Sequence, residues 1–373
     1  MRIGIDAREM GAKPTGVGRY LSNILYYWIK EFSHHHYFLY FKDEPEDSEL
    51  LNFPNVIKKL IPSNIISFNM YWQQIQLPPQ IKKDAVDIFF SSSYSIPLRC
   101  NVKRAVTIHD ISFEAHPEWF WPKERFSRRF LTKKSASAAD IIFTVSQFSK
   151  SEIIKYYCIP ERKIVVVPNG VDKKFQPIKN KQDIEKFQNK HNITGRTILY
   201  AGSIFNRRRL PLLMETFKRL GKDYKDVQLL IAGENRTCPY QNLPALAHKL
   251  GISNKTHFFN FVDEYTLLLL YNVADIFVYL SEYEGFGIPV LEALACGTPA
   301  ISSDNTALKE IFPSAALLIA KNEVEELYKA ISQLFDDPKL CSELVDNSKK
   351  LLQKYSYEET AREIMHYLEN LKD

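Results

Sequence analysis

Cysteine is scarce in this chain: 373 residues hold five, at Cys100, Cys158, Cys238, Cys296 and Cys341. They are odd in number, scattered, and form no C-x-x-C pair. That argues against a disulfide framework and a structural zinc, and it points to a reducing compartment. Long apolar runs are missing too. No stretch approaches the ~20 residues that span a bilayer, and the runs 267–271 and 276–280 are separated by Asn272 and Asp275. The N-terminus, Met1-Arg2-Ile3-Gly4-Ile5-Asp6, lacks the basic and apolar segments of a signal peptide. The expected location is cytoplasmic, extending to the inner face of the plasma membrane. Charge of one sign is also in short supply: 49 Lys+Arg against 44 Asp+Glu leaves +5, spread too thinly to indicate a nucleic-acid partner. With 45% hydrophobic and 25% charged residues, disordered, collagen-like and rod-like chains are excluded.

What the chain does have is a regular alternation of short apolar runs with helix-spaced patterns. Runs 2–6, 37–41, 87–90, 104–108, 141–145 and 163–167 read as buried strands. So do 197–201, 227–232, 257–261, 275–280 and 299–302. Strands alternating with helices predict parallel sheets covered on both faces. Ser146 reads as the N-cap of a helix reaching Tyr157. The turn Pro168-Asn169-Gly170-Val171-Asp172, followed by a polar stretch, marks a boundary. The expected organisation is α/β, with two doubly wound Rossmann-like domains, 1–170 and 171–354. The C-terminal helix 355–373 is expected to join the first. His34-His35-His36 precedes a strand, where consecutive side chains alternate faces, so no metal site is expected there.

Residues 281–301 carry the most information: SEYEGFGIPVLEALACGTPAI. A strand ends near Leu280, a loop holds Glu284, Gly285, Phe286 and Gly287, and Pro289 suits the first turn of a helix that Gly297 stops. A helix start behind a glycine loop attracts an anion such as phosphate. Glu284 and Glu292, with seven residues between them, would repel that anion unless they bind something else. Sugar hydroxyls are the natural partner of such carboxylates.

E-G-F-G-I-P-x-L-E-A-x-A-x-G-x-P resembles the signature of glycosyltransferase family 4, the retaining GT-B enzymes. The resemblance implies a GT-B fold, two Rossmann-like domains facing across a cleft. It implies that Glu284 contacts the donor sugar and Glu292 the ribose of a sugar nucleotide. Gly285, Phe286, Gly287, Ile288 and Val290 would then line the donor site. Ala201-Gly202-Ser203-Ile204-Phe205-Asn206-Arg207-Arg208-Arg209 is similar to the family's glycine plus basic pair that clamps the diphosphate. It assigns Gly202, Ser203 and Arg207 to the donor and Arg208 to catalysis, since a guanidinium offers a bidentate fork. Gly16-Val17-Gly18-Arg19-Tyr20 resembles the family's N-terminal glycine loop and implies donor contacts at Gly16 and Gly18. As a dinucleotide fingerprint it fails, because Leu21 replaces the third glycine. Thr107-Ile108-His109-Asp110 places His109 where the family has a histidine reaching the donor sugar, with Asp110 expected to orient the ring through Nδ1. Phe261-Val262-Asp263 resembles the segment that meets the base, hence Val262.

There is no D-x-D triplet. No metal and no cofactor are expected; arginines and a helix end would meet the diphosphate charge instead. The expected reaction moves a hexose, first mannose from GDP-mannose, to a glycan or polyprenyl-linked acceptor, as in bacterial surface polysaccharide and lipopolysaccharide O-antigen assembly. UDP-glucose or a UDP-N-acetylhexosamine is the alternative donor, and a non-catalytic sugar-nucleotide binder the alternative class. Finally, 119–134 combines Trp119, Trp121, Phe126 and Phe130 with six basic residues. Two readings stay open: a helix with its aromatics in the core, or one that meets an anionic membrane surface.

Overall fold

Short strands that are apolar on both faces must be covered on both faces. In the computed structural model, which describes residues 1–11, 16–45, 48–62, 69–321 and 323–372, this arrangement forms twice. One unit comprises 1–115, 122–170 and 355–373; the other comprises 116–121 and 171–354.

The first unit holds β1 (Arg2–Asp6), β2 (His36–Phe41), β3 (Val56–Leu60), β4 (Ile88–Ser91), β5 (Lys103–Thr107), β6 (Ile141–Thr144) and β7 (Ile164–Val166). They pair in parallel in the order β3-β2-β1-β4-β5-β6-β7. The second holds β8 (Thr197–Ala201), β9 (Gln228–Ala232), β10 (Thr256–Phe259), β11 (Ile276–Tyr279), β12 (Ala300–Ser303) and β13 (Leu317–Ile319). Their order is β10-β9-β8-β11-β12-β13, again parallel. Each sheet is doubly wound. Strand order reverses between β1 and β4 and between β8 and β11, so the loops leaving those strand ends diverge and make room for a ligand.

The eleven strands expected from sequence are present, β1 and β8 with the expected ends and the others with shifted ones; β3 and β13 are additional. Both are edge strands. β3 reads VIKKL, and its two lysines hide the apolar run while protecting an exposed edge from further pairing. The Ser146 cap forms as expected: its Oγ accepts from the Ser149 amide at 3.1 Å.

In the first unit, the helix Gly16–Glu31 buries Tyr20, Leu21, Ile24, Leu25, Trp28 and Ile29, a helical stripe facing the sheet. Against it packs the last helix, Tyr357–Lys372, which buries Tyr357, Ala361, Ile364, Met365 and Leu368 in the same core. Trp28 Nε1 donates to the Ala361 carbonyl at 2.7 Å, so the indole keeps its hydrogen bond inside the core.

Two sequence expectations need correction. Residues 116–121 group with the second unit, not the first. There the His116 ring stacks on Trp119, with centroids 4.0 Å apart, and meets Tyr283 edge-on at 5.5 Å. His34 and His35 lie in the turn before β2 rather than on the strand, so they do not alternate faces. Their rings are 4.0 Å apart, and with Glu369 they offer three ligand atoms within 4.8 Å. His35 is already satisfied: Nε2 meets Glu369 Oε1 at 2.9 Å and Nδ1 meets the Met1 amine at 3.1 Å. Among the described residues, no helix is long and apolar enough to cross a membrane.

Leu368 is fully buried where the last helix meets the sheet. Leu368→Ala is expected to lower the stability of the first unit by roughly 2–5 kcal/mol, measured as a shift in the urea midpoint.

Candidate active site

The reversal point of the second sheet brings together the loops after β8 and β11. The β8 loop turns through Gly202 and continues as one turn of 3-10 helix, Asn206–Arg208. Arg207 and Arg208 are 7% and 6% exposed, unusual for arginines on a loop. The Glu282 amide donates to the Arg207 carbonyl at 3.0 Å and ties the two loops by their backbones.

Arg208 forms an ion pair with Glu284, Nη1 to Oε2. Its guanidinium lies 4.4 Å from the centre of the Tyr279 ring, at the end of β11. Tyr279 also donates its hydroxyl to Glu284 Oε2 at 3.3 Å, and Tyr200 of β8 stacks on Tyr279 at 6.1 Å. Burial pushes the Tyr279 hydroxyl well above its usual range, so it stays a neutral donor. For Arg208, burial works against the charge, but the Glu284 carboxylate together with Tyr279 and Tyr200 outweighs it, and the guanidinium is held above its ordinary value. Among the described residues, Arg207 has no such partner. Its guanidinium covers the Phe205 ring at 4.4 Å, while its buried Nε and Nη1 find no hydrogen-bond acceptor. Arg208 Nε is likewise buried and unpaired. Buried donors without acceptors are costly, and they mark a place for an anion. Arg209 turns away: it adopts a left-handed backbone (φ +53°), is half exposed and pairs with Glu282.

The β11 loop ends in the helix Ile288–Ala295. Gly287 precedes it at φ +103°, and a Cβ there would come within 2.7 Å of Leu308 and 3.0 Å of Phe312. Only glycine allows this entry. Gly285, Phe286 and Val290 are buried in the same corner, with Ile288 half-buried. Glu292, one turn further on, is buried and accepts from the Tyr271 hydroxyl at 2.8 Å through Oε2. Burial, followed by the Glu292 charge, pushes the Cys296 thiol up to about 12. A second close approach lies at the ends of β8 and β9: a Cβ on Gly233 would sit 1.9 Å from the Gly202 carbonyl oxygen. Ser203 is exposed and its carbonyl accepts from Tyr200. Val262 lies half-buried after β10, beside Phe261, whose ring is largely exposed.

The remaining candidates belong to the first unit. His109 follows β5; its Nε2 faces the Ser92 carbonyl at 3.0 Å, and Tyr20 meets its ring edge-on at 4.8 Å. A carbonyl only accepts, so Nε2 carries the proton. Asp110 does not orient the ring as expected: its carboxylate accepts from the Ser112 amide at 2.8 Å. Burial lowers the His109 pKa, leaving a neutral imidazole near pH 7. Gly16 and Gly18 form the first turn of the helix Gly16–Glu31, Gly16 exposed and Gly18 buried. The structure thus brings Gly202, Arg207, Arg208, Glu284 and Gly287 to one corner of the second unit. Tyr279 and Phe205 were missed from sequence; the signal was a polar-tipped ring at the end of β11 and a flat ring in the β8 loop, each beside residues already singled out.

Residues 14–175 match the family described as Glycosyltransferase Family 4, and residues 181–351 match Glycosyl transferases group 1. The chain belongs to the family 4 glycosyltransferases. O-antigen chain mannosyltransferase B of Escherichia coli is 31% identical over 254 residues, 67% of this chain and 65% of that protein. O-antigen chain mannosyltransferase RfbU of Salmonella typhimurium is 29% identical over 272 residues, 73% of this chain and 71% of that protein. The chain thus spans just under two thirds of the first relative, and about a third of the Escherichia coli serotype-specific mannosyltransferases WbdA that it also matches. The family's GT-B fold is confirmed by solved structures. Sucrose-phosphate synthase from Thermosynechococcus elongatus superposes with a TM-score of 0.80 at 17% identity, covering 99% of this chain and 98% of that one.

Two outcomes test the local structure of this family 4 chain. Gly233→Ala is expected to cost about 2 kcal/mol or more, because the added methyl meets backbone rather than a movable side chain; thermal denaturation measures it. The unfolded state takes up a proton on His109 near the ordinary histidine value while the folded state stays neutral. This group's stabilisation is therefore lost as pH falls below about 6.5. The urea midpoint of His109→Gln is expected to fall less steeply with acidification than that of the wild type.

Proposed function

We propose that this chain is a mannosyltransferase that moves mannose from GDP-mannose to a hydroxyl of a glycan or polyprenyl-linked acceptor, with retention and without a metal. The observation that carries the reading is the pair of buried guanidiniums at the β8–β11 reversal, with Arg207 Nε and Nη1 lacking acceptors. A diphosphate supplies acceptors of the right charge. The helix start behind Gly287 adds backbone N–H donors and a positive dipole end. The names of the relatives support mannose as the sugar and O-antigen assembly as the setting.

In the proposed reaction the acceptor oxygen forms a bond to the anomeric carbon while the bond from that carbon to the diphosphate oxygen breaks. The departing phosphate oxygen takes the acceptor proton, on the same face. Arg207 and Arg208 stabilise the charge that grows on the diphosphate. Glu284 holds the sugar: Arg208 and Tyr279 both bind its Oε2, so Oε1 is presented to a hydroxyl. The family resemblance assigns His109 to the sugar, Glu292 to the ribose, and Gly16, Gly18, Ser203 and Val262 to further donor contacts.

Thermal shift across a panel of sugar nucleotides is expected to give the largest stabilisation with GDP-mannose; a larger one with a UDP sugar would replace the donor. Hydrolysis of the donor without acceptor separates an enzyme from a binding protein, and turnover is expected to survive EDTA. Removing one charged group from the clamp is expected to cost on the order of 100-fold in turnover. Arg207→Ala tests this cleanly, since Arg207 has no internal partner to strand. Glu284→Gln is preferable to Glu284→Ala, because it keeps an acceptor beside the buried Arg208. Near-wild-type turnover in both variants would sink the site assignment.

A further inference from the structure

The helix Pro122–Ala138 in the first unit buries only Thr132, Ser135 and Ala136, its side toward the protein. At 100° per residue, the opposite side carries Lys123, Phe126, Ser127, Phe130, Lys133 and Lys134. All six are exposed, with Phe126 at 74% and Phe130 at 50%. The core reading of these aromatics is therefore wrong. The acids of this region are engaged elsewhere: Glu124 pairs with Arg128, and Glu114 pairs with Arg129. Among the described residues, no carboxylate pairs with Lys123, Lys133 or Lys134, and Lys134 lies over the Phe130 ring at 6.0 Å.

Two phenylalanines one turn apart, ringed by three lysines with no acid on the same side, are costly to leave in water. An interface between headgroups and acyl chains satisfies both: the rings enter the apolar boundary and the ammonium groups stay at the phosphate level. We propose that this face docks on an anionic lipid surface. The docking is separate from the transfer chemistry, since none of these residues belongs to the donor corner, and binding to vesicles reads it without any turnover.

The test is flotation of the full chain with vesicles of phosphatidylcholine alone or mixed with phosphatidylglycerol. Binding is expected only with phosphatidylglycerol, and it is expected to weaken in high salt. Lys123→Glu with Lys133→Glu and Lys134→Glu is expected to abolish it, each removed lysine being worth about fivefold. Phe126→Ser with Phe130→Ser is expected to weaken it about a hundredfold. All changes are on the surface, so circular dichroism and melting temperature are expected to match the wild type. Absence of wild-type flotation, or equal binding to neutral vesicles, would overturn the proposal. Binding lost on charge reversal but untouched by the serine pair would also overturn it, and would make the face a general polyanion surface.

Discussion

A buried guanidinium needs an anion close by, and in the second unit that requirement holds two loops together. Arg208 reaches from the end of β8 to Glu284 at the end of β11, under the ring of Tyr279. Strands β8 and β11 are neighbours, yet their connections leave in opposite directions, so nothing local would bring the loops together. The ion pair does so, with the Glu282 amide on the Arg207 carbonyl as a second tie. Because the pair is desolvated, its members are expensive to separate, and the corner is set before any ligand arrives. Arg207, held beside it without an acceptor, is left with donors to offer.

Backbone packing sharpens this corner. Gly233 lets the ends of β8 and β9 approach so closely that a methyl group would meet the Gly202 carbonyl. Gly287 lets the chain enter the helix Ile288–Ala295 directly against Leu308 and Phe312. Both positions lack a side chain because neighbouring atoms already fill the space. The rigid frame they give places charged groups more accurately than a free loop could.

Much of the fold was legible in the sequence because buried parallel strands leave continuous apolar runs, as in β1, β8 and β11. β3 was hidden because its lysines face water at a sheet edge, and β13 because three residues are too few for a pattern. The helix capped by Gly287 was legible for a different reason: proline, glycine and the apolar period all mark the same few residues. His34 and His35 were misread because a turn was taken for a strand. Asp110 was assigned to its neighbour's ring, but an aspartate next to a helix start finds the amide two residues on sooner than a side chain.

The sequence alone determined most of the strands and helices, the two-unit plan and the residues of the glycine, arginine and glutamate motifs, since these depend on periodicity, turn chemistry and spacing. It could not decide partners. That Arg208 pairs with Glu284 while Arg207 stays open, that His109 leans on Ser92, and that Phe126 and Phe130 face solvent are outcomes of distance and burial. Those quantities arise only when segments far apart in the chain are packed together, and no local pattern encodes them.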